Sequence, residues 1–328
     1  MENPILSKSR AQATFQHIQR STLILIAGML LGNALSFIKS LLIATYYGTS
    51  AELDAYFLSL APLDLISGIL LGAIQTVLIP RYLELMIKRG KDYAFAVFVT
   101  FSLSALFVVI IIVSALLLGS STLASYLGPG FNVSQVSFLA SLLKLSTLLF
   151  VFNILNDIGR YLFNAHCQFL FSGFIPLVSG VCSLWYLARF STYGVSALMY
   201  GLIFGMVIQT GIVLYAARRF LPEHFFLLSP LDPEIKHTFK LMSPLLLGAS
   251  FGQTNMLIDQ MMASTLPAGS IAALNYANKL HGMLTQMFIM GISSVVLPFF
   301  ARQAAEHDIQ ALKATFFLTI KRMSYVLL

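Results

Sequence analysis

Asn33-Ala-Leu-Ser36-Phe-Ile-Lys39, then Tyr47-Gly48-Thr-Ser-Ala-Glu-Leu-Asp54-Ala-Tyr56, then Asp64 and Ser67, ending in Ile79-Pro80-Arg81, is the stretch on which the fold turns. It sets Lys39 and Asp64 inside two apolar segments joined by a glycine-containing turn. A charge near the middle of a spanning helix costs about 2.5–3.5 kcal/mol on insertion scales, so such residues face a bundle interior or a wet cavity rather than lipid. Gly32, Ser36, Lys39 and Ile43 fall at helical spacing on one face, and Asp64, Ser67, Gly68 and Gln75 share a face of the next helix. At 1.5 Å per residue, Lys39 and Asp64 each lie about 12–15 Å from the intervening turn. They are placed either to pair with each other or to meet a substrate.

The surrounding composition fits that placement. Of 328 residues, 58% are hydrophobic and only 10% charged, against about 25% charged in a soluble domain. This predicts an all-α polytopic membrane protein. Spans are predicted near 22–47, 54–79, 93–119, 135–156, 170–188, 194–217, 241–264 and 271–299, with a ninth beginning near 316, each close to the roughly 20 residues a bilayer requires.

The 20 Lys and Arg sort by loop. With the N-terminus cytoplasmic, 16 fall on inner segments, only Arg189 on an outer loop, and Lys39, Lys144 and Lys279 within spans. The basic balance is thus an orientation signal and excludes a nucleic-acid partner. Residues 1–21 are polar and mixed, which predicts an interfacial cytoplasmic segment without a cleavable signal. Cys167 and Cys182 make neither a disulfide nor a metal site.

Several further features organise the chain. Leu127-Gly128-Pro129-Gly130-Phe131 is a compact outer turn, and Asn132-Val-Ser134 matches a glycosylation pattern of low specificity. Lys144 sits about nine residues into span four, at a depth similar to Lys39. Asp157 and Arg160 are spaced for an i,i+3 pair, and Gly201 and Gly205 for close helix packing. The proline-rich break 218–240 reads as a cytoplasmic linker between a first lobe of six helices (22–217) and the start of a second (241–328), in which about three helices fit.

A repeat supports this division. Thr76-Val-Leu-Ile-Pro80 is answered by Ser294-Val-Val-Leu-Pro298, 218 residues later. Six spans separate the equivalents, so the repeat is parallel, as in transporters built from two halves about an axis normal to the membrane. Span eight is the most polar helix: Asn275, Lys279, Gly282 and Gln286 share a face, with Asn278 beside them. Span seven contributes Gln253, Asn255, Asp259 and Gln260. The chain stops inside span nine and reads as part of a longer protein.

Gly48 with Asp54-Ala-Tyr-Phe57, Gly128-Pro129-Gly130-Phe131, Leu143-Lys144, Pro244-Leu-Leu-Leu-Gly248, Tyr276-Ala-Asn278-Lys279-Leu280 and Leu297-Pro298 resemble, in order, motifs of the MviN/MurJ family of lipid II flippases. That family lies in the MOP superfamily with multidrug antiporters and polysaccharide-unit exporters. The resemblance implies two six-helix lobes around a cationic cavity whose arginines bind a lipid-linked pyrophosphate. Lys39 and Lys279 stand where two of those arginines would be, Asn33 and Ser67 where two others would be, and Ser40 replaces an acidic neighbour. Lysine keeps the charge without arginine's two-toothed donor geometry.

The function this implies is a non-enzymatic flippase. It would move a polyprenyl-pyrophosphate-linked saccharide across the bacterial inner membrane by alternating access, as a monomer and without a cofactor, the coupling ion being left open. Lys39, Lys279, Asn33, Asp54, Asp64, Ser67, Lys144, Asn275 and Asn278 are its candidate substrate-binding residues, with Lys39 and Lys279 expected to line one cavity. The alternatives are a cation-coupled multidrug antiporter of the same superfamily, which would want an acidic cavity, and a non-transporting membrane scaffold. A polyprenyl transferase is disfavoured, since no Asp-rich pair at helical spacing exists to hold Mg²⁺ on a pyrophosphate.

Overall fold

The computed structural model describes residues 4–221, 229, 232–283 and 285 and short helical pieces within 310–321, with side chains from residue 24 onward. The described residues form an all-α bundle, α1 (Pro4–Tyr47), α2 (Ala51–Arg89), α3 (Lys91–Leu118), α4 (Ser120–Leu127), α5 (Val133–Ala165), α6 (Phe169–Phe190), α7 (Ser196–Ala217) and α8 (Pro233–Ala263). Among the described residues, six helices are long and apolar enough to cross a membrane, and they coincide with the first six predicted spans. Predicted span seven lies in α8, whose polar residues keep it out of that group. About half of predicted span eight and more than half of the stretch from 316 predicted to open span nine fall outside the described residues.

The helices outrun the spans. α1 continues without a break through residues 21 and 22, because neither glycine nor proline interrupts 5–27. α2 runs through Pro80 to Arg89, its last turns held by Lys88 to Glu84 (2.7 Å) at i,i+4 spacing. It ends only at Gly90, where φ is +89°. α8 begins inside the predicted linker, since Asp232 accepts the Glu234 N–H (2.9 Å) and Pro233 takes the first helical position.

The chain divides into two compact units, Met1–Tyr276 and Ala277–Leu328. In the first, α2 is central and packs against α3, α5 and α8, while α1 packs on α6 and α6 on α7. Lipid offers no hydrophobic drive between helices, so close approach depends on small residues. A Cβ on Gly205 would stand 2.5 Å from the Ser179 carbonyl oxygen, and one on Gly28 would stand 2.5 Å from that of Gly173. These glycines let α7 and α1 seat directly on α6. Polar pins add specificity: Asn156 donates to Thr210 Oγ1 (2.8 Å) between α5 and α7, and the Tyr161 hydroxyl to the Leu71 carbonyl (2.9 Å) between α5 and α2. In the second unit, residues 277–283 and 315–318 are helical.

Candidate functional site

The site is built along the antiparallel pair α2 and α8. At mid-length the two helices nearly touch, because a Cβ on Gly68 would lie 2.7 Å from Gln253 Cδ. Ser67 is buried beside this crossing, whereas Asp64, Gly72 and Gln75 on α2 and Gln253, Asn255 and Asp259 on α8 are exposed. In a chain of this composition, a band of acids and amides exposed on two packed helices among the described residues suits a polar environment, because hydrocarbon would not solvate it. Asn33 and Lys39 lie on α1, both partly buried and both engaged by neighbours.

At the Gly48 end of the bundle, α2 is tied to the segment that follows α8. Asp54 is 3% exposed, and its carboxylate accepts the backbone N–H groups of Gly269 (2.5 Å) and Ala272 (2.7 Å). A helix opens at residue 270, so the charge sits on free N–H groups at a positive helix end, which offsets the cost of burying it. Tyr276 donates to the Gly48 carbonyl (3.1 Å) and stacks edge-on against Phe57. Ile271 and Ala272 join Leu53, Ala55 and Tyr56 in one apolar cluster. Tyr47 fastens the end of α1 to the α6–α7 turn through the carbonyls of Ser191 (3.2 Å) and Gly194 (3.0 Å).

At the Gly90 end a second tie joins the same two helices. Glu234, near the start of α8, pairs with Arg81 and also with Arg89 (3.3 Å), and Arg81 is further bonded to Glu84 (2.6 Å). Ile235 and Met242 of α8 are buried there against α2, α3 and α5. The pair is therefore closed at both ends, with the polar band between them.

Not every candidate residue gathers here. Asp54 has its carboxylate committed to the helix end, and the Asn275 side chain donates back to the Ile271 carbonyl (2.9 Å) of its own helix. Lys144 faces away from the band, on the exposed stripe of α5. Asn278 is exposed and Lys279 half-buried in the second unit. Asp157 and Arg160 form the expected i,i+3 pair at 2.5 Å. Among the described residues no group of three or more His, Cys, Asp or Glu is placed to hold a metal. Glu234 was not singled out from the sequence, where it looks like one more linker charge. The Asp232-Pro233 helix-start signal beside it would have marked it as the first turn of a helix.

These features define a polytopic membrane protein with the fold of the MOP transporters. The architecture matches a lipid II flippase MurJ solved in an inward closed conformation (TM-score 0.71, 22% identity, 92% of this chain and 64% of that one). It also matches an outward-facing multidrug resistance MATE family transporter (TM-score 0.62, 15% identity, 92% and 68%). The chain belongs to the lipid II flippase MurJ family, whose model matches residues 43–328. Among curated relatives, "Probable lipid II flippase MurJ" of Aquifex aeolicus is 26% identical over 319 residues, covering 92% of this chain and 60% of its own length. "Lipid II flippase MurJ" of Burkholderia cenocepacia is 22% identical over 289 residues, covering 85% and 56%. The chain thus spans a little over half the length of these relatives.

Proposed function

We propose that the protein flips a polyprenyl-pyrophosphate-linked saccharide, lipid II or a related precursor, across the bacterial inner membrane by alternating access. The observation that carries this reading is the polar band on α2 and α8, exposed on either side of the Gly68 crossing among the described residues and closed at each end by a separate tie. Releasing one tie while keeping the other is what alternating access requires, and family membership supplies the substrate class. The antiporter alternative gains no support beyond shared fold.

The proposed orientation places the N-terminus and the Gly90 end in the cytoplasm, because nearly all loop Lys and Arg then lie inside. Lys39 and Lys279 are assigned to the pyrophosphate as point charges, Asn33, Ser67, Asp64 and Asn278 to the polar wall around the sugar. The protein acts as a monomer, without enzymatic chemistry and without a prosthetic group. Complementation of a lipid II flippase depletion with the full-length gene tests the reading. Growth on depletion is expected, and failure of a well-inserted protein to support it would overturn lipid II as the substrate.

A further inference from the structure

Lys144 opens into a pocket of about 730 Å³ on the flank of the first unit, between α4, α5 and α7 at the Gly48 end. Six hydroxyl side chains line it among apolar neighbours such as Val136 and Leu145: Ser121 and Ser125 come from α4, Ser137 and Ser141 from α5, and Ser196 and Tyr200 from α7. No carboxylate lines it, and Lys144 makes no ion pair among the described residues. Ser125 and Ser141 turn their hydrogens onto carbonyls of their own helices. The hydroxyls of Ser137, Ser196 and Tyr200 make no hydrogen bond among the described residues and remain available as donors.

The two long walls have the same polarity gradient. On α5 the exposed stripe reads Ser137, Ser141, Lys144 and then Leu148, which is 44% exposed. On α7, which descends from the same end, half-buried Ser196 is followed by exposed Tyr200 and then Phe204 and Val207, 39% and 46% exposed. Hydroxyl donors therefore lie toward the Gly48-end boundary, the Lys144 amine on its long flexible stem shares their pocket from about a dozen Å down α5, and bare apolar side chains continue the groove deeper into the bilayer. A soluble anion would use only the upper half of this surface. A lipid with a negatively charged phosphate head uses both: the phosphate meets the amine and hydroxyls, and an acyl chain lies on Leu148 and Phe204.

The geometry points to a binding site for an anionic phospholipid of the surrounding leaflet, with Lys144 as its phosphate anchor, separate from the α2–α8 band. The site requires only that α5 and α7 span the membrane, so it stands or falls independently of what the protein transports.

Native mass spectrometry of the 328-residue chain in detergent, titrated with phosphatidylglycerol, tests this. Lys144→Ala is expected to weaken phosphatidylglycerol binding about tenfold, the size of one lost charge-assisted contact. Lys144→Arg should hold it within about twofold of the parent. Ser137→Leu, which fills the pocket and leaves the amine, should weaken it as Lys144→Ala does, and serves if Lys144→Ala does not fold. Unchanged adducts in Lys144→Ala or Ser137→Leu would overturn the site. So would phosphatidylcholine binding the parent as tightly as phosphatidylglycerol, or millimolar inorganic phosphate displacing the lipid.

Discussion

Asp54 and Ala272 are joined by a 2.7 Å hydrogen bond from backbone amide to carboxylate across 218 positions of sequence. That separation equals the offset between Pro80 and Pro298. A parallel repeat would bring equivalent positions face to face only at the axis relating its halves. On the proposed two-lobe reading the Gly48-end tie lies at that axis, where relative rotation of the lobes would break it.

Asp54→Ala should loosen this end. It strips two donors of their charged partner, at about 1–3 kcal/mol for a buried contact. With Cys167 and Cys182 replaced by serine, a cysteine introduced at Ala272 should be labelled by a membrane-impermeant maleimide faster in Asp54→Ala than in its absence. Equal rates would show that the apolar cluster of Leu53, Ile271 and Ala272 holds the end shut alone.

Glu234→Gln should loosen the opposite end. Glu234 and Arg81 are each about 15% exposed in the side chain, whereas Arg89 is about half exposed, so the Arg81 contact dominates. Arg81→Gln and Glu234→Gln together should cost less than the sum of the two alone, by about 1 kcal/mol in thermal unfolding. Strict additivity would mean that the ion pair contributes nothing net.

Lys279→Ala should abolish transport in inverted vesicles while the protein remains inserted, and Lys279→Arg should retain it. A pyrophosphate needs a cation in a poorly solvating site, and arginine restores both charge and two-toothed geometry. If Lys279 only neutralises Asp259, the double change Lys279→Ala with Asp259→Ala will recover transport, and the substrate role will fall.

Gly205→Leu should destabilise the first unit by 2 kcal/mol or more on the scale of overpacked cores, because its Cβ meets Ser179 backbone that cannot yield. Gly211→Ala, on the same helix with open space around it, should leave thermal unfolding within about 0.5 kcal/mol of the parent.

The six first spans and the Gly201–Gly205 contact were legible in the sequence because length, apolarity and small-residue spacing are local properties. Helix extents were less so. Pro80 and the charges after it suggest a stop, yet neither breaks a helix when Glu84 and Lys88 pair on its surface. Asn132 matched a glycosylation pattern, but its side chain caps α5 in a reciprocal box with Gln135, a signal that Asn-Val-Ser-Gln carried all along. The partner of Asp54 was out of reach, since it depends on register between segments more than 200 residues apart. Depth told where Lys144 lies along α5, but only the placement of α4 and α7 shows what it faces.

The contact between Asp54 and Ala272 also limits what the two positions can be. Asp54 reaches the backbone N–H of residue 272, which is fully buried, so an aspartate there would crowd a second carboxylate against the first, where both cannot stay ionised. On the proposed repeat these positions are equivalents, and their difference, an acid on one side and a small residue at an open helix end on the other, is what lets them close.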